Sequence, residues 1–196
     1  AQWSPAMGLA VADADGDGHE DIFVSQNFFA VRPEDDRLDA GRGLWLRGDG
    51  TGKFIAVPGQ ESGVKVYGEQ RGAALADDDG DGRTDLVVTQ NGAETKLYRN
   101  TAARPGLRVK LESAGRADAV GAQLRLVFGA RKGPVRELRA GAGYWSQDSL
   151  TPVLGVPEPP TQLEVRWPGG KTTTSSLPAG ARDIVVDADG KVTVRR

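Results

Sequence analysis

The chain has 196 residues, with 25 Lys and Arg against 27 Asp and Glu, one His and no Cys, for a net charge of −2 at pH 7. Without Cys there is no disulfide framework, zinc–thiolate site, iron–sulfur site or thiol nucleophile, and a single His argues against a His-based triad or a multi-His metal site. The near-neutral total gives no reason to expect nucleic acid as a partner, no apolar run reaches the roughly 18 residues that span a bilayer, and 27 Gly with 11 Pro point to many turns and few helices.

The chain opens at Ala1 without Met or a charged-then-apolar leader, so a signal peptide is expected to be absent or already removed. Residues 9–12 and 22–25 are short apolar or β-branched runs, read as strands. They flank a loop too rich in Asp and Gly for strand or helix. Residues 28–42 are polar and read as a surface excursion. Strands are expected at 43–47 and 53–57, around a glycine-rich turn at 48–52. Residues 8–27 then return as residues 72–91, at an offset of 64 and without a gap. One more strand is expected at 95–100. A unit of about 60 residues with about four short strands is propeller-like in kind.

Residues 101–106, with Pro105, read as a linker. Beyond it the pattern alternates with period two, at 107–112, 123–128, 135–139 and 162–167, followed by 183–187 and 192–194. Short alternating strands in this number suggest an antiparallel β-sandwich. Two domains are therefore expected, residues 1–103 and 104–196. The first carries 10 Lys and Arg against 18 Asp and Glu, the second 15 against 9. The basic outward positions of the second domain read as a solvated face, with docking on an acidic neighbour as the sharper alternative.

The chemistry lies in the repeated D-x-D-G-D-G-x-x-D loop. Asp13, Asp15, Asp17 and Asp21 occupy loop positions 1, 3, 5 and 9, and Asp77, Asp79, Asp81 and Asp85 repeat them. Four carboxylates this close repel one another unless a cation lies between them. Hard oxygens at alternate positions suit Ca²⁺, which takes about 6–8 oxygen ligands. By analogy with other Asp-rich loops, position 7 offers a backbone carbonyl, from His19 or Arg83. Two Ca²⁺ sites are expected. The loop is not an EF-hand, because position 12 is Val24 or Val88 rather than Glu. Mg²⁺ fits less well, since it keeps more of its water.

No catalytic or cofactor-binding residue is expected. His19 reads as exposed, and the acidic cluster Glu34-Asp35-Asp36 as a solvated loop. Trp3, Trp45, Tyr67 and Tyr98 read as strand core. Tyr144-Trp145, after Ala140-Gly141-Ala142-Gly143, reads as a tight bend that packs a Trp, with an aromatic binding edge as the alternative.

The two copies of G-x-A-x-A-D-x-D-G-D-G-x-x-D-[IL]-x-V resemble FG-GAP (VCBS-type) repeats, which build calcium-bearing β-propellers. The second half resembles an ASPIC/UnbV domain through Val120-Gly121-Ala122, Arg139-Ala140-Gly141-Ala142-Gly143-Tyr144-Trp145-Ser146-Gln147, Leu154-Gly155 and residues 163–171. The order is similar to the carboxyl end of cartilage acidic protein-like proteins. The resemblance implies an all-β fold, with partial FG-GAP propeller-type blades followed by an antiparallel β-sandwich. It also implies calcium binding, extracellular or periplasmic (secreted) placement and a non-catalytic, adhesion-type role toward a protein or glycan partner. The alternatives are a structural accessory subunit of a larger assembly and a hydrolase fragment. Two blades do not close a ring. Either further blades come from a longer chain or another subunit, or the two blades pack on the sandwich as a compact unit.

Overall fold

The computed structural model describes residues 4–113 and 119–195, so the expectation for Trp3 lies outside the described residues. Its regular structure is nearly all β: four small sheets in a propeller-like arrangement, with one four-residue helix, α1 (Gly59–Ser62).

The first sheet is an antiparallel meander of β1 (Ala6–Ala12), β2 (Asp21–Gln26), β3 (Leu44–Gly48) and β4 (Phe54–Val57). The second runs β5 (Glu69–Ala76), β6 (Asp85–Asn91) and β7 (Ala93–Tyr98). The sequence repeat is copied into the register. A bulge between Ala6 and Leu9 of β1 recurs between Gln70 and Ala73 of β5. Inside each bulge a glycine N–H finds a hydroxyl, Gly8 donating to Ser25 Oγ at 2.6 Å and Gly72 to Thr89 Oγ1 at 2.9 Å. The second copy has three strands rather than about four. After Tyr98 the chain turns through Asn100 into the linker, so no outer strand is added.

The two sheets pack face to face on a small core of Ala10, Ala12, Phe23, Ala73, Leu75, Leu86 and Val88, joined by Val64 and Val66 from the connection. Trp45 stacks beside Phe23 with ring centroids 5.6 Å apart. Small residues on β1 and β5 let the inner strands approach closely, while the larger side chains sit further out. Tyr98 packs against this core and its hydroxyl donates to the Lys65 carbonyl. Tyr67 does not: it is exposed, with the Arg42 guanidinium over its ring.

The second half contains β8 (Leu107–Glu112), β9 (Gln123–Phe128), β10 (Arg131–Lys132), β11 (Arg136–Glu137), β12 (Val153–Leu154), β13 (Gln162–Arg166), β14 (Thr172–Ser176), β15 (Asp183–Asp187) and β16 (Val192–Val194). One sheet orders β10-β9-β13-β14 with β11 also on β9, and the other orders β12-β8-β15-β16. Period-two alternation sends Leu107, Val109, Leu111, Leu124, Leu126, Leu163, Val165, Ile184 and Val186 into one shared core. The expected antiparallel pairing is corrected at one place: β8 and β15 run parallel. They are distant in sequence, and the long intervening chain crosses to the other sheet and back, which a parallel pair requires.

Candidate metal centres

Each loop is held by the same set of backbone N–H donors. Asp13 Oδ1 accepts from Gly16 (2.7 Å) and Asp17 (3.1 Å), and its Oδ2 from Gly18 (2.7 Å). Asp77 accepts from Gly80, Asp81 and Gly82 at 2.8, 3.0 and 2.9 Å. Asp15 and Asp79 accept from the N–H two residues on, as do Asp17 and Asp81. The position-9 carboxylate closes each loop: Asp21 Oδ2 accepts from Ala14, and Asp85 Oδ2 from Asp78, both at 2.9 Å. Gly16 and Gly80 take φ of 77° and 79°, which the turn needs and a side chain disfavours.

These bonds bring Asp13, Asp15 and Asp21 together so that one oxygen of each lies within 4.8 Å of the others. Asp77, Asp79 and Asp85 converge in the same way. Asp17 and Asp81 stand outside both trios. The side chain of His19 lies against Gly50, and that of Arg83 pairs with Asp81. Burial pushes the carboxyls of Asp13 and Asp21 up to about 6 and raises Asp15 as well. Backbone donors pull Asp13 and Asp21 back only in part. A converging trio of hard carboxylate oxygens is a donor set that fits Ca²⁺. An incoming cation would relieve both the repulsion and the desolvation.

Other residues at this junction carry no sequence signal of their own. The Asn100 side chain donates to Ala14 O (2.7 Å) and Thr84 O (3.2 Å), linking the two loops, while its backbone N–H donates to Asp85 Oδ1. The linker holds both loops as well, with Arg104 N–H donating to Asp15 O and Gly106 N–H to Gly82 O. Gly155 of the second half is pressed against the Asp13 carboxylate, which fills the place of its missing Cβ. A side chain at Gly18 would strike Pro157.

The two halves meet along the free edges of β1 and β5. Leu75 N–H donates to Asp148 Oδ1 (2.9 Å), and Ser149 N–H to Leu75 O (2.8 Å). Arg136 donates to Val11 O and pairs with Glu20. The blades thus pack on the sandwich, and part of its basic surface faces acids of the first half rather than water. Between them lies a cavity of about 490 Å³, lined by Leu9, Val11, Leu75, Arg136 and Asp148 among others. Burial raises the Asp148 carboxyl. Trp145 does not pack: its φ of 48° throws the ring outward, 93% exposed, beside Tyr144.

A search among curated proteins returned no match. Residues 112–193 match the family model described as ASPIC and UnbV, so over that stretch the chain is similar to this family.

Proposed function

We propose that this chain is a calcium-binding, extracytoplasmic interaction module of adhesion type, without catalytic activity. Its first half is built from FG-GAP (VCBS-type) repeats, in an arrangement like the carboxyl end of cartilage acidic protein-like proteins. The observation that carries this reading is the pair of converging carboxylate trios, Asp13/Asp15/Asp21 and Asp77/Asp79/Asp85, built on the same backbone bonds. Bound Ca²⁺ would supply charge neutralisation and a fixed anchor for loops that otherwise stay electrostatically strained. The chain's own part is to present oxygens: the trios, the position-5 carboxylates Asp17 and Asp81, and the carbonyls of His19 and Arg83. The exposed Tyr144–Trp145 edge supports a protein or glycan partner. Sites of this type favour an outside compartment, where calcium is plentiful. Equilibrium dialysis of the metal-free chain against calcium is expected to give two ions bound per chain. Uptake of none contradicts the reading.

The accessory-subunit reading is favoured by a different observation. The register places Leu9, Val11, Ile22, Leu46 and Phe54 on one face of the first sheet. The equivalent face of the second sheet, with Ala73, Leu75, Leu86 and Val88, is buried against the first. On the first sheet Leu9, Val11 and Phe54 stay exposed. Leu9 and Val11 line the cavity against the second half, so it is the outer end of this face, at Phe54, that suits a further blade. Sedimentation of the purified chain checks this. Self-association that Leu46→Asp abolishes is expected, and a strict monomer at high concentration speaks against it.

A further inference from the structure

We propose that the two loops, alike in their ligands, are unequal cation sites: the first is tight and sealed by the C-terminal module, the second weak because arginines already neutralise it. The inference rests on the calcium-binding reading above and goes beyond it.

The difference lies in what surrounds each trio. Every carboxylate of the second loop except Asp85 has a guanidinium nearby. Arg108 Nε lies 3.4 Å from Asp77, Arg99 Nε 3.9 Å from Asp79, and Arg83 Nη1 2.5 Å from Asp81; Arg99 also reaches Asp78. Among the described residues, no Lys, Arg or His comes within 4.0 Å of the carboxylates of Asp13, Asp15, Asp17 or Asp21. Arg47 acts on Asp15 only from farther away. Arg136 of the second half pairs with Glu20 rather than with this loop. A cation entering the first loop meets uncompensated charge, whereas one entering the second must compete with fixed positive charge.

Burial works in the same direction. Asp13 and the side chain of Asp77 are both buried, so the contrast lies at the second ligand, where Asp15 is half-buried and Asp79 exposed. The first loop owes its cover to the second half of the chain. Gly155 abuts the Asp13 carboxylate, Pro157 backs Gly18, and Arg104 holds the Asp15 carbonyl through its N–H. Lower local dielectric strengthens the attraction between a cation and this trio. It also makes Gly155 a positioning residue for the site, because any side chain there displaces the first ligand.

Calcium chloride titrated calorimetrically into the full metal-free chain at pH 7 tests this. The expected result is two binding events separated by about tenfold or more in Kd, a ratio worth roughly 1.4 kcal/mol. Asp13→Asn is expected to remove the tight event and Asp77→Asn the weak one. Gly155→Ala weakens the tight event alone. Arg99→Gln, at an exposed side chain, strengthens the weak event and leaves the tight one unchanged. Two events of equal strength, or a tight event that survives Asp13→Asn, overturn the proposal and leave the calcium reading intact. No calcium heat at all overturns both.

Discussion

Asp13 and Asp77 hold the same place in the repeat and accept the same three backbone N–H bonds. Among the described residues, one meets Gly155 and no cationic side chain, while the other faces Arg108. Spacing alone singled out eight acidic positions, and the structure brings six of them together in two trios, leaving Asp17 and Asp81 outside. Gly155, Asn100 and Arg108 were not legible in this way. Their partners lie 142, 86 and 31 positions away in sequence, and a single Gly, Asn or Arg carries no mark of such a contact. The raised carboxyls give a pH prediction with a definite sign. Folded Asp13 and Asp21 hold protons up to about pH 6, whereas unfolded ones release them near the ordinary value of 3.8. Across that window the folded state binds more protons, so the metal-free fold loses stability as pH rises. The carboxyls pulled the other way by hydrogen bonds, Asp49, Asp187 and Glu164, add their stability as pH rises through the ordinary carboxylate range, mostly below this window. In chelator, Tm is expected to fall between pH 5 and 7, and calcium is expected to narrow or reverse that fall. A Tm that climbs in chelator over the same range counts against these two groups.

At the scale of elements, the repeat predicted β1, β2, β5 and β6 well, because the apolar runs on either side of each acidic loop have only one way to pair. It did not predict β14, whose Thr172-Thr173-Thr174-Ser175-Ser176 shows no apolar alternation. That strand exists because β13 offers it a full antiparallel partner and Ser175 buries its hydroxyl on the Gly190 carbonyl at 2.6 Å. The parallel pairing of β8 with β15 was equally invisible, since alternation fixes faces and not direction. Trp145 departs from the packed bend expected: it follows Gly143, which lies beside Leu9 O, takes a φ of 48° and leaves its indole exposed. The packing of the two blades leads to a prediction of its own. Phe23 is fully buried between them, and Phe23→Ala is expected to cost about 3–5 kcal/mol. Denaturant unfolding followed by intrinsic fluorescence measures the loss. A cost below about 1 kcal/mol, the range of ordinary surface changes, means that the inter-blade core is not the one described.

Over the whole molecule, the acidic first half and the basic second half meet at a junction where charge, linker and the two acidic loops coincide. Arg136 with Glu20 and Arg108 with Asp77 cross that boundary. The charge split was visible in the sequence, but which basic groups are used there depends on the approach of two domains and not on composition. Arg136 and Glu20 keep some exposure, so Arg136→Ala is expected to cost on the order of 2 kcal/mol, less than for a fully buried pair. It also speeds proteolytic nicking in residues 101–106. Unchanged cleavage and unchanged Tm reject that role for the pair. The central claim is that cations held by the two Asp loops stabilise this fold. Calorimetric melting of the full chain at pH 7, in millimolar calcium and in chelator, tests it most directly. The account predicts a higher Tm in calcium, by several degrees, as expected for roughly 1–3 kcal/mol of linked binding energy. The same Tm in both conditions contradicts it.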